Sequence, residues 1–144
     1  MKKLAIIVGA IVAILGSVFY LVSASGTAES NIYTYIDEAT LEQKINNSET
    51  FVVYIYGKNC SYCKAFAPTI EGYLEQNKFQ INKIASDDSP NIKTLIGDTY
   101  QGTPSIYVFK EGVISDYMIG QKTEKELSAF VTKNSSVFET HRIK

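Results

Sequence analysis

A short apolar run in the middle of the chain limits the possible folds most strongly. Residues 50–57 read TFVVYIYG, a continuous apolar segment of strand length that ends at Gly57. A strand without polar alternation is buried on both faces, as in the centre of a covered sheet. The next segment places Phe66, Ile70 and Leu74 on one helical stripe. A buried strand followed directly by an amphipathic helix predicts an α/β fold.

The other segments alternate in the first half of the chain and form a hairpin in the second. Strand patterns occupy residues 31–36, 78–85 and 105–120, the last interrupted by a KEG turn. Helix patterns occupy residues 37–47, 89–97 and 123–134. The predicted order is therefore β-α-β-α-β-α-β-β-α, which implies a mixed sheet with helices on both faces.

The N-terminal segment is predicted to lie outside this fold. Lys2 and Lys3 precede an uncharged run at residues 4–22, which is long enough to cross a bilayer as a helix. The lysines are expected to stay on the cytoplasmic side, so the rest of the chain is extracytoplasmic. The length of the run favours the interpretation that residues 1–24 form a retained transmembrane anchor. The alternative is a cleaved signal peptide, because VSA at 22–24 offers small residues for cleavage.

Three further segments follow this N-terminal one. Residues 25–30, SGTAES, are small and polar and are interpreted as a linker. The folded domain is expected to span residues 31–134. The last ten residues, 135–144, are expected to form a loose C-terminal tail.

The two cysteines of the chain, Cys60 and Cys63, stand where the buried strand meets the helix. A thiol attacks as its thiolate, and the free N–H groups and dipole of a helix N-terminus stabilise that charge. Cys60 lies where this effect is strongest, whereas Cys63, one turn further on, is expected to be more buried. The spacing lets Cys60 attack a disulfide and Cys63 resolve the mixed disulfide that results.

Two other uses of a cysteine pair agree less well with the sequence. A purely structural disulfide gains most by closing a long loop, whereas this pair closes almost the shortest loop possible. A zinc site needs four ligands, but the chain has no second cysteine pair and its single histidine, His141, lies near the C-terminus. We therefore expect no metal and no organic cofactor, because the redox couple is the cysteine pair itself.

Five features in order make the chain similar to the thioredoxin-like superfamily over roughly residues 31–134. They are the strand FVVYIYG, the motif CSYC followed by Lys64, Pro68 five residues after the second cysteine, GTPS at 102–105, and Gly120 after the hairpin. Within the superfamily, the chain resembles the small, N-terminally anchored thiol-disulfide oxidoreductases and bacteriocin-transport accessory proteins of Gram-positive bacteria.

This resemblance implies a substrate edge beside the cysteines. Thr103 and Pro104 would be joined by a cis peptide bond, and Thr103 would expose its backbone to pair with a substrate strand. Without the cysteine motif, Pro104 would be interpreted as an ordinary turn proline. Thioredoxins also often carry a buried lysine at the position of Lys83, although an alternating strand is equally compatible with an outward-facing lysine.

The sequence departs from thioredoxins around the cysteines. Asn59 stands where they usually have Trp, and Ser61 and Tyr62 stand where they have Gly-Pro, so both are expected to modulate the active site. Tyr62 also resembles the second residue of the Pro-Tyr pair in glutaredoxins. The buried Asp that thioredoxins place six residues before the first cysteine is Tyr54 here. A phenol, with a pKa of ~10, cannot act as a carboxylate base at neutral pH. Proton transfer at Cys63 is therefore expected to use water, Lys83 or no specific group, which disfavours general cytoplasmic reductase activity.

The sequence thus predicts an extracytoplasmic thiol-disulfide oxidoreductase that exchanges disulfides with cysteines of exported polypeptides. Its expected partners are those polypeptides, a membrane or extracellular redox partner, and the membrane through the N-terminal helix. Fourteen basic and fifteen acidic residues give a net charge of −1, which offers no basic surface to nucleic acid. The alternative is an accessory module that binds an exported peptide, such as a bacteriocin, or docks a membrane partner, with redox activity secondary.

Overall fold

The structure is a computed structural model, and it describes residues 31–144. The predicted anchor or signal peptide and the predicted linker lie outside the described residues. Within residues 31–144, no helix combines the length and the apolar character needed to cross a membrane.

The described part of the chain forms a mixed sheet with helices. The strands are β1 (Tyr33–Tyr35), β2 (Phe51–Tyr56), β3 (Ile81–Ala85), β4 (Ser105–Lys110) and β5 (Val113–Ile119). The helices are α1 (Glu38–Asn46), α2 (Ser61–Asn77), α3 (Ile92–Ile96), α4 (Glu124–Lys133) and α5 (Ser135–Phe138). The strand order is β1-β3-β2-β4-β5, with β3 parallel to β1 and β2, and β4 antiparallel to β2 and β5. The predicted α/β fold with a mixed sheet is confirmed.

Strand β2 is buried on both faces, which explains its continuous apolar sequence. Val52 and Tyr54 belong to the core under α2, α4 and α5. Val53 and Ile55 belong to the core under α1 and α3. Because successive side chains point to opposite faces of a strand, a central strand covered on both sides has no position that favours a polar residue.

Local sequence signals set most of the element boundaries. Asp37 accepts a hydrogen bond from the Thr40 backbone N–H at 2.8 Å and so caps α1. Thr123 and Glu126 form a complete capping box at the start of α4. The β4–β5 turn places Gly112 at a φ of 75°, in the left-handed region that glycine adopts without steric cost.

Helix α3 begins later than its sequence suggests. The pattern at 89–97 predicts Ser89 as the cap, but the Ser89 hydroxyl donates instead to the Ala85 carbonyl at 2.9 Å. The helix starts at Ile92, after Asn91. The Asn91 backbone N–H and side-chain amide each donate to the Glu38 carboxylate at 2.7 Å. A carboxylate from another helix therefore holds the residue before α3 in place, which a local pattern cannot reveal.

The expectation of a loose C-terminal tail is wrong. Residues Val137 and Phe138 of α5 are buried in the core that covers the α2 face of the sheet. Beyond α5, the Ile143 N–H donates to the Lys78 carbonyl at 2.7 Å, and the Gln80 N–H donates to the His141 carbonyl at 2.8 Å. The segment thus packs on the core and pairs with the chain before β3.

Candidate active site

Cys60 caps helix α2 with its own sulfur atom. Gly57 follows the last residue of β2, and Cys60 adopts the extended backbone typical of an N-cap, with φ −82° and ψ 112°. Its Sγ accepts a hydrogen bond from the Cys63 backbone N–H at 3.1 Å. The sulfur therefore occupies the position in which a helix stabilises an anionic acceptor most effectively.

The two cysteines form a disulfide, and their exposure differs. Their Cα atoms are 5.2 Å apart. Cys63 is only 5% exposed, whereas Cys60 is half-buried at the surface of the domain. The prediction that Cys63 is the more buried partner is confirmed.

Gly57 lies against both the disulfide and the Thr103 loop. A Cβ atom added to Gly57 would stand 3.1 Å from Cys60 Cβ and 3.2 Å from Thr103 Oγ1. The Gly57 N–H also donates to Cys63 Sγ at 3.5 Å. A side chain at this position would push the cysteine turn away from Thr103, so glycine is needed here for close packing as well as to end the strand.

Thr103 and Pro104 stand beside the cysteine pair. The Thr103–Pro104 peptide bond is cis, as the family resemblance implied. The Thr103 carbonyl oxygen lies 3.6 Å from Cys60 Sγ. The Pro104 carbonyl accepts a hydrogen bond from the Gly120 N–H at 2.7 Å, which ties this loop to the end of β5. The structure therefore brings together Cys60, Thr103 and Gly120, which lie far apart in sequence.

The turn before Cys60 is held by the segment after β3. The Lys58 N–H donates to Asp87 Oδ2 at 2.6 Å, and Lys58 Nζ donates to Asp88 Oδ1 at 2.7 Å. The hydrogen bond to Asp88 raises the pKa of Lys58. Sequence reasoning missed this contact, because acidic residues after a strand carry no local sign of what they bind.

Lys83 points inward and is enclosed by aromatic rings. Its side chain is 12% exposed, which excludes the outward-facing alternative. The rings around its ammonium group belong to four tyrosines of β1 and β2: Tyr33, Tyr35, Tyr54 and Tyr56. Lys83 Nζ lies 4.0 Å from the centroid of the Tyr33 ring and 3.8 Å from Glu71 Oε1 on α2. Burial lowers the pKa of Lys83, and the Glu71 carboxylate opposes that effect.

Tyr54 occupies the position of the family's buried carboxylate and is neutral. Burial raises the pKa of the Tyr54 hydroxyl well above its ordinary value, and Glu71 adds to the increase. The phenol therefore stays protonated at neutral pH. The carboxylate that pairs with Lys83 comes from Glu71 of helix α2 rather than from β2. Alternating tyrosines, YTY in β1 and YIY in β2, are the sequence feature that could have indicated it.

Replacing Tyr33 by Phe is expected to raise the free energy of unfolding by about 1 kcal/mol. The Tyr33 hydroxyl oxygen is buried and has no hydrogen-bond partner among the described residues, so its removal relieves an uncompensated desolvation. Burial also raises the pKa of Tyr33. The unfolded chain therefore loses this proton first, and the advantage of Phe should grow above about pH 10. Urea unfolding at pH 7 and pH 10.5 measures both effects, with Tyr62→Phe as a control at an exposed hydroxyl. Loss of stability in the Tyr33 variant would show that the hydroxyl is bonded.

Limited alkylation of the reduced domain is expected to label Cys60 before Cys63, by a factor on the order of ten. Cys60 is the more exposed residue, and its sulfur faces the free N–H groups of α2. Iodoacetamide treatment followed by mass spectrometry of the peptides locates the label. Preferential labelling of Cys63 would reverse the roles assigned to the two thiols.

Known proteins share this architecture. The profile of the family described as Thioredoxin matches residues 33–133. A curated relative, a "Disulfide bond formation protein" from Brevibacillus choshinensis, is 25% identical over 91 residues, which cover 62% of this chain and 77% of the relative. A thioredoxin from Porphyra purpurea is 26% identical over 101 residues, covering 68% and 92%. The solved thioredoxin of Malassezia sympodialis superposes with a TM-score of 0.59 at 21% identity, covering 72% of this chain and 90% of that one.

The family match at residues 33–133 covers both the sheet and the helix that carries the disulfide. A thioredoxin fold with a Cys60–Cys63 pair at a helix N-terminus supports thiol-disulfide oxidoreductase chemistry in general. We conclude that the chain belongs to the thioredoxin family.

Proposed function

We propose that the protein is an extracytoplasmic thiol-disulfide oxidoreductase that exchanges disulfides with cysteines of exported polypeptides. One observation carries the chemistry: Cys60 is only partly buried, and its sulfur caps α2 and lies 3.6 Å from the Thr103 carbonyl oxygen. A sulfur in this position is accessible to a substrate and stabilised as a thiolate when it leaves.

The exchange needs two displacement steps. In the oxidising direction, a substrate thiolate attacks Cys60 Sγ, forms a mixed disulfide, and expels Cys63 as a thiolate. The Gly57 N–H, 3.5 Å from Cys63 Sγ, is placed to stabilise that thiolate. A second substrate thiolate then attacks the substrate sulfur and releases Cys60 as a thiolate, to which the Cys63 N–H donates a hydrogen bond. Two electrons pass from the substrate to the pair, and the reverse sequence reduces a substrate disulfide.

We assign the substrate edge to Thr103 and Pro104. A polypeptide bound covalently to Cys60 must run beside Thr103, whose carbonyl oxygen adjoins the reacting sulfur. Ser61 and Tyr62 form the exposed first turn of α2 and so adjoin the same approach. We propose that they modulate the site, Ser61 at the helix terminus and Tyr62 through its exposed ring.

The extracytoplasmic location is supported by the N-terminal sequence. Lys2 and Lys3 followed by an uncharged run at 4–22 are typical of a membrane anchor or a signal peptide. The relative from Brevibacillus choshinensis carries the name "Disulfide bond formation protein", and disulfides persist mainly in oxidising compartments outside the cytoplasm. The alternative function at the same location is that of an accessory protein that assists the export of a bacteriocin or another peptide. In that role, binding of the peptide rather than disulfide exchange would be essential.

Intact cells test the location directly. We expect a membrane-impermeant maleimide to label Cys60 of the full-length protein after mild reduction, without lysis. The protein should also sediment with membranes, because the uncharged N-terminal run is expected to be retained as an anchor. A cytoplasmic thiol protein of the same cell serves as the control and should stay unlabelled. Labelling of Cys60 only after lysis would contradict the extracytoplasmic assignment.

A further inference from the structure

A groove of about 600 Å³ opens beside the cysteine pair, between the start of α2 and the start of α4. We call it the Tyr62 groove, and its walls include Tyr62, Thr69, Thr103, Lys122, Thr123 and Glu126. Its volume lies within the range of ordinary ligand sites. Thr103 lines this groove, and its carbonyl oxygen lies 3.6 Å from Cys60 Sγ, so the groove lies next to the reacting sulfur.

Tyr62 presents an apolar surface that the domain itself does not use. Its side chain is 69% exposed, although it is a large aromatic residue next to a cavity. It makes no hydrogen bond or ring contact within the described part of the chain. A single exposed aromatic ring is common on protein surfaces, but this one lines a cavity and so is available to a bound side chain.

The polar groups of the groove are partly occupied already. The Glu126 carboxylate accepts hydrogen bonds from the Thr123 N–H at 2.9 Å and from the Thr123 hydroxyl at 2.7 Å. The hydrogen bonds from Thr123, and to a lesser degree the charge of Lys122, lower the pKa of the Glu126 carboxyl. What the groove offers to a ligand is therefore the Tyr62 ring, the Lys122 ammonium group and threonine side chains such as that of Thr69.

The covalent chemistry determines what reaches this groove. A substrate cysteine bound to Cys60 fixes its neighbours in the chain, which follow at about 3.3 Å per residue in an extended segment. A residue one or two positions from that cysteine therefore lies within reach of the Tyr62 groove. Among side chains, an aromatic ring gains the most from a second aromatic ring and a nearby ammonium group.

We propose that the Tyr62 groove binds an aromatic side chain that flanks the cysteine of a substrate polypeptide. This inference rests on the proposed function, since the groove acts as a specificity site for the same exchange reaction. Tyr62 is then a specificity-determining residue, and Lys122, which also lines the groove, supplies a positive charge near the bound ring.

Short peptides with one cysteine test this proposal. Each peptide carries the cysteine as its mixed disulfide with thionitrobenzoate, and the residue beside the cysteine is Phe, Ala or Lys. Attack by reduced Cys60 on the peptide sulfur releases coloured thionitrobenzoate, which gives a second-order rate constant. We expect the Phe peptide to react roughly two- to tenfold faster than the Ala peptide, which corresponds to one aromatic contact.

Variants of the full chain separate the groove from general reactivity. Tyr62→Ala should lower the ratio of the Phe to the Ala rate to about one. Thr69→Arg, which fills the groove while keeping the Tyr62 ring, should do the same. Tyr117→Ala removes an exposed tyrosine on β5 and should leave the ratio unchanged. Circular dichroism checks that each variant is folded.

Three results would overturn the proposal. Equal rates for Phe and Ala with the unmodified protein would show that the groove selects nothing, while the exchange function stands. A fastest reaction with the Lys peptide would show that Glu126 makes the groove a cation site. Absence of thionitrobenzoate release from every peptide would contradict the proposed exchange function itself.

Discussion

Replacing Cys60 by serine is expected to abolish disulfide exchange, with a loss of at least about a thousandfold in rate. Cys60 carries the accessible sulfur, and Cys63 is 5% exposed beneath it. A serine hydroxyl can still cap α2 through the Cys63 N–H, so the fold should be retained. The measurement is the rate of exchange between the reduced protein and a peptide disulfide, with circular dichroism as the check on folding.

The matched control is Cys63→Ser. This variant keeps the attacking thiol but lacks the resolving one, so it should accumulate a mixed disulfide with its substrate that electrophoresis without reductant reveals. In cells, loss of function in the Cys60→Ser strain supports exchange chemistry. Full function of that strain would contradict the proposed enzymatic function. It would favour an accessory module that binds its partner without disulfide exchange.

Replacing Phe138 by alanine is expected to lower the free energy of unfolding by about 3–5 kcal/mol. Phe138 is 1% exposed, and its ring centroid lies 5.6 Å from that of Phe79 and 6.4 Å from that of Phe130. Truncation to alanine leaves a cavity between α5, α4 and the segment before β3. Urea unfolding measures the effect, and the exposed neighbour Ser136 offers the control Ser136→Ala, which should change stability by less than about 0.5 kcal/mol.

This second prediction tests whether the C-terminal segment is part of the domain. A loss below about 1 kcal/mol for the Phe138 variant would mean that α5 packs loosely, as the sequence pattern alone suggested. At temperatures where the variant stays folded, it should exchange disulfides at the normal rate. The disulfide touches Gly57 and Thr103, and α5 contributes no residue to that group of contacts.

The sequence predicts the central part of the fold well because its signals there are local and strong. A strand buried on both faces must be continuously apolar, and β2 shows this in every residue from Phe51 to Ile55. The stripe of α2 and the caps at Asp37 and Thr123 are equally local. Each of these features depends on neighbours within about one turn or one strand, so the chain itself displays them.

The features that sequence reasoning missed depend on contacts between distant segments. Val137 and Phe138 are two adjacent apolar residues, which is too short a pattern to predict a packed helix. Their burial depends on the core that Val52 and Tyr54 of β2 help to form. The surroundings of Lys83 require the register that sets Tyr35 and Tyr54 opposite Lys83 on two neighbouring strands. A single sequence does not encode that register in any local pattern.

The candidate site likewise combines features that local sequence predicts with features that depend on contacts between distant segments. The positions of Cys60 and Cys63 follow from the strand–helix junction, and their different exposure follows from one helical turn. The contact of Asp87 with the Lys58 backbone, and the groove that Tyr62 shares with the start of α4, arise from three segments that meet only in the folded domain. Substitutions at these positions therefore separate what the cysteine motif does alone from what this particular chain adds.

Equilibration of the Cys60–Cys63 pair with glutathione tests the central claim most directly. The protein is incubated at a series of reduced-to-oxidised glutathione ratios, quenched, and analysed by alkylation and mass spectrometry. An exchanging pair should interconvert reversibly, with a reduction potential of about −270 to −120 mV. A pair that stays oxidised at every ratio, as expected for a structural disulfide below about −300 mV, would contradict the account.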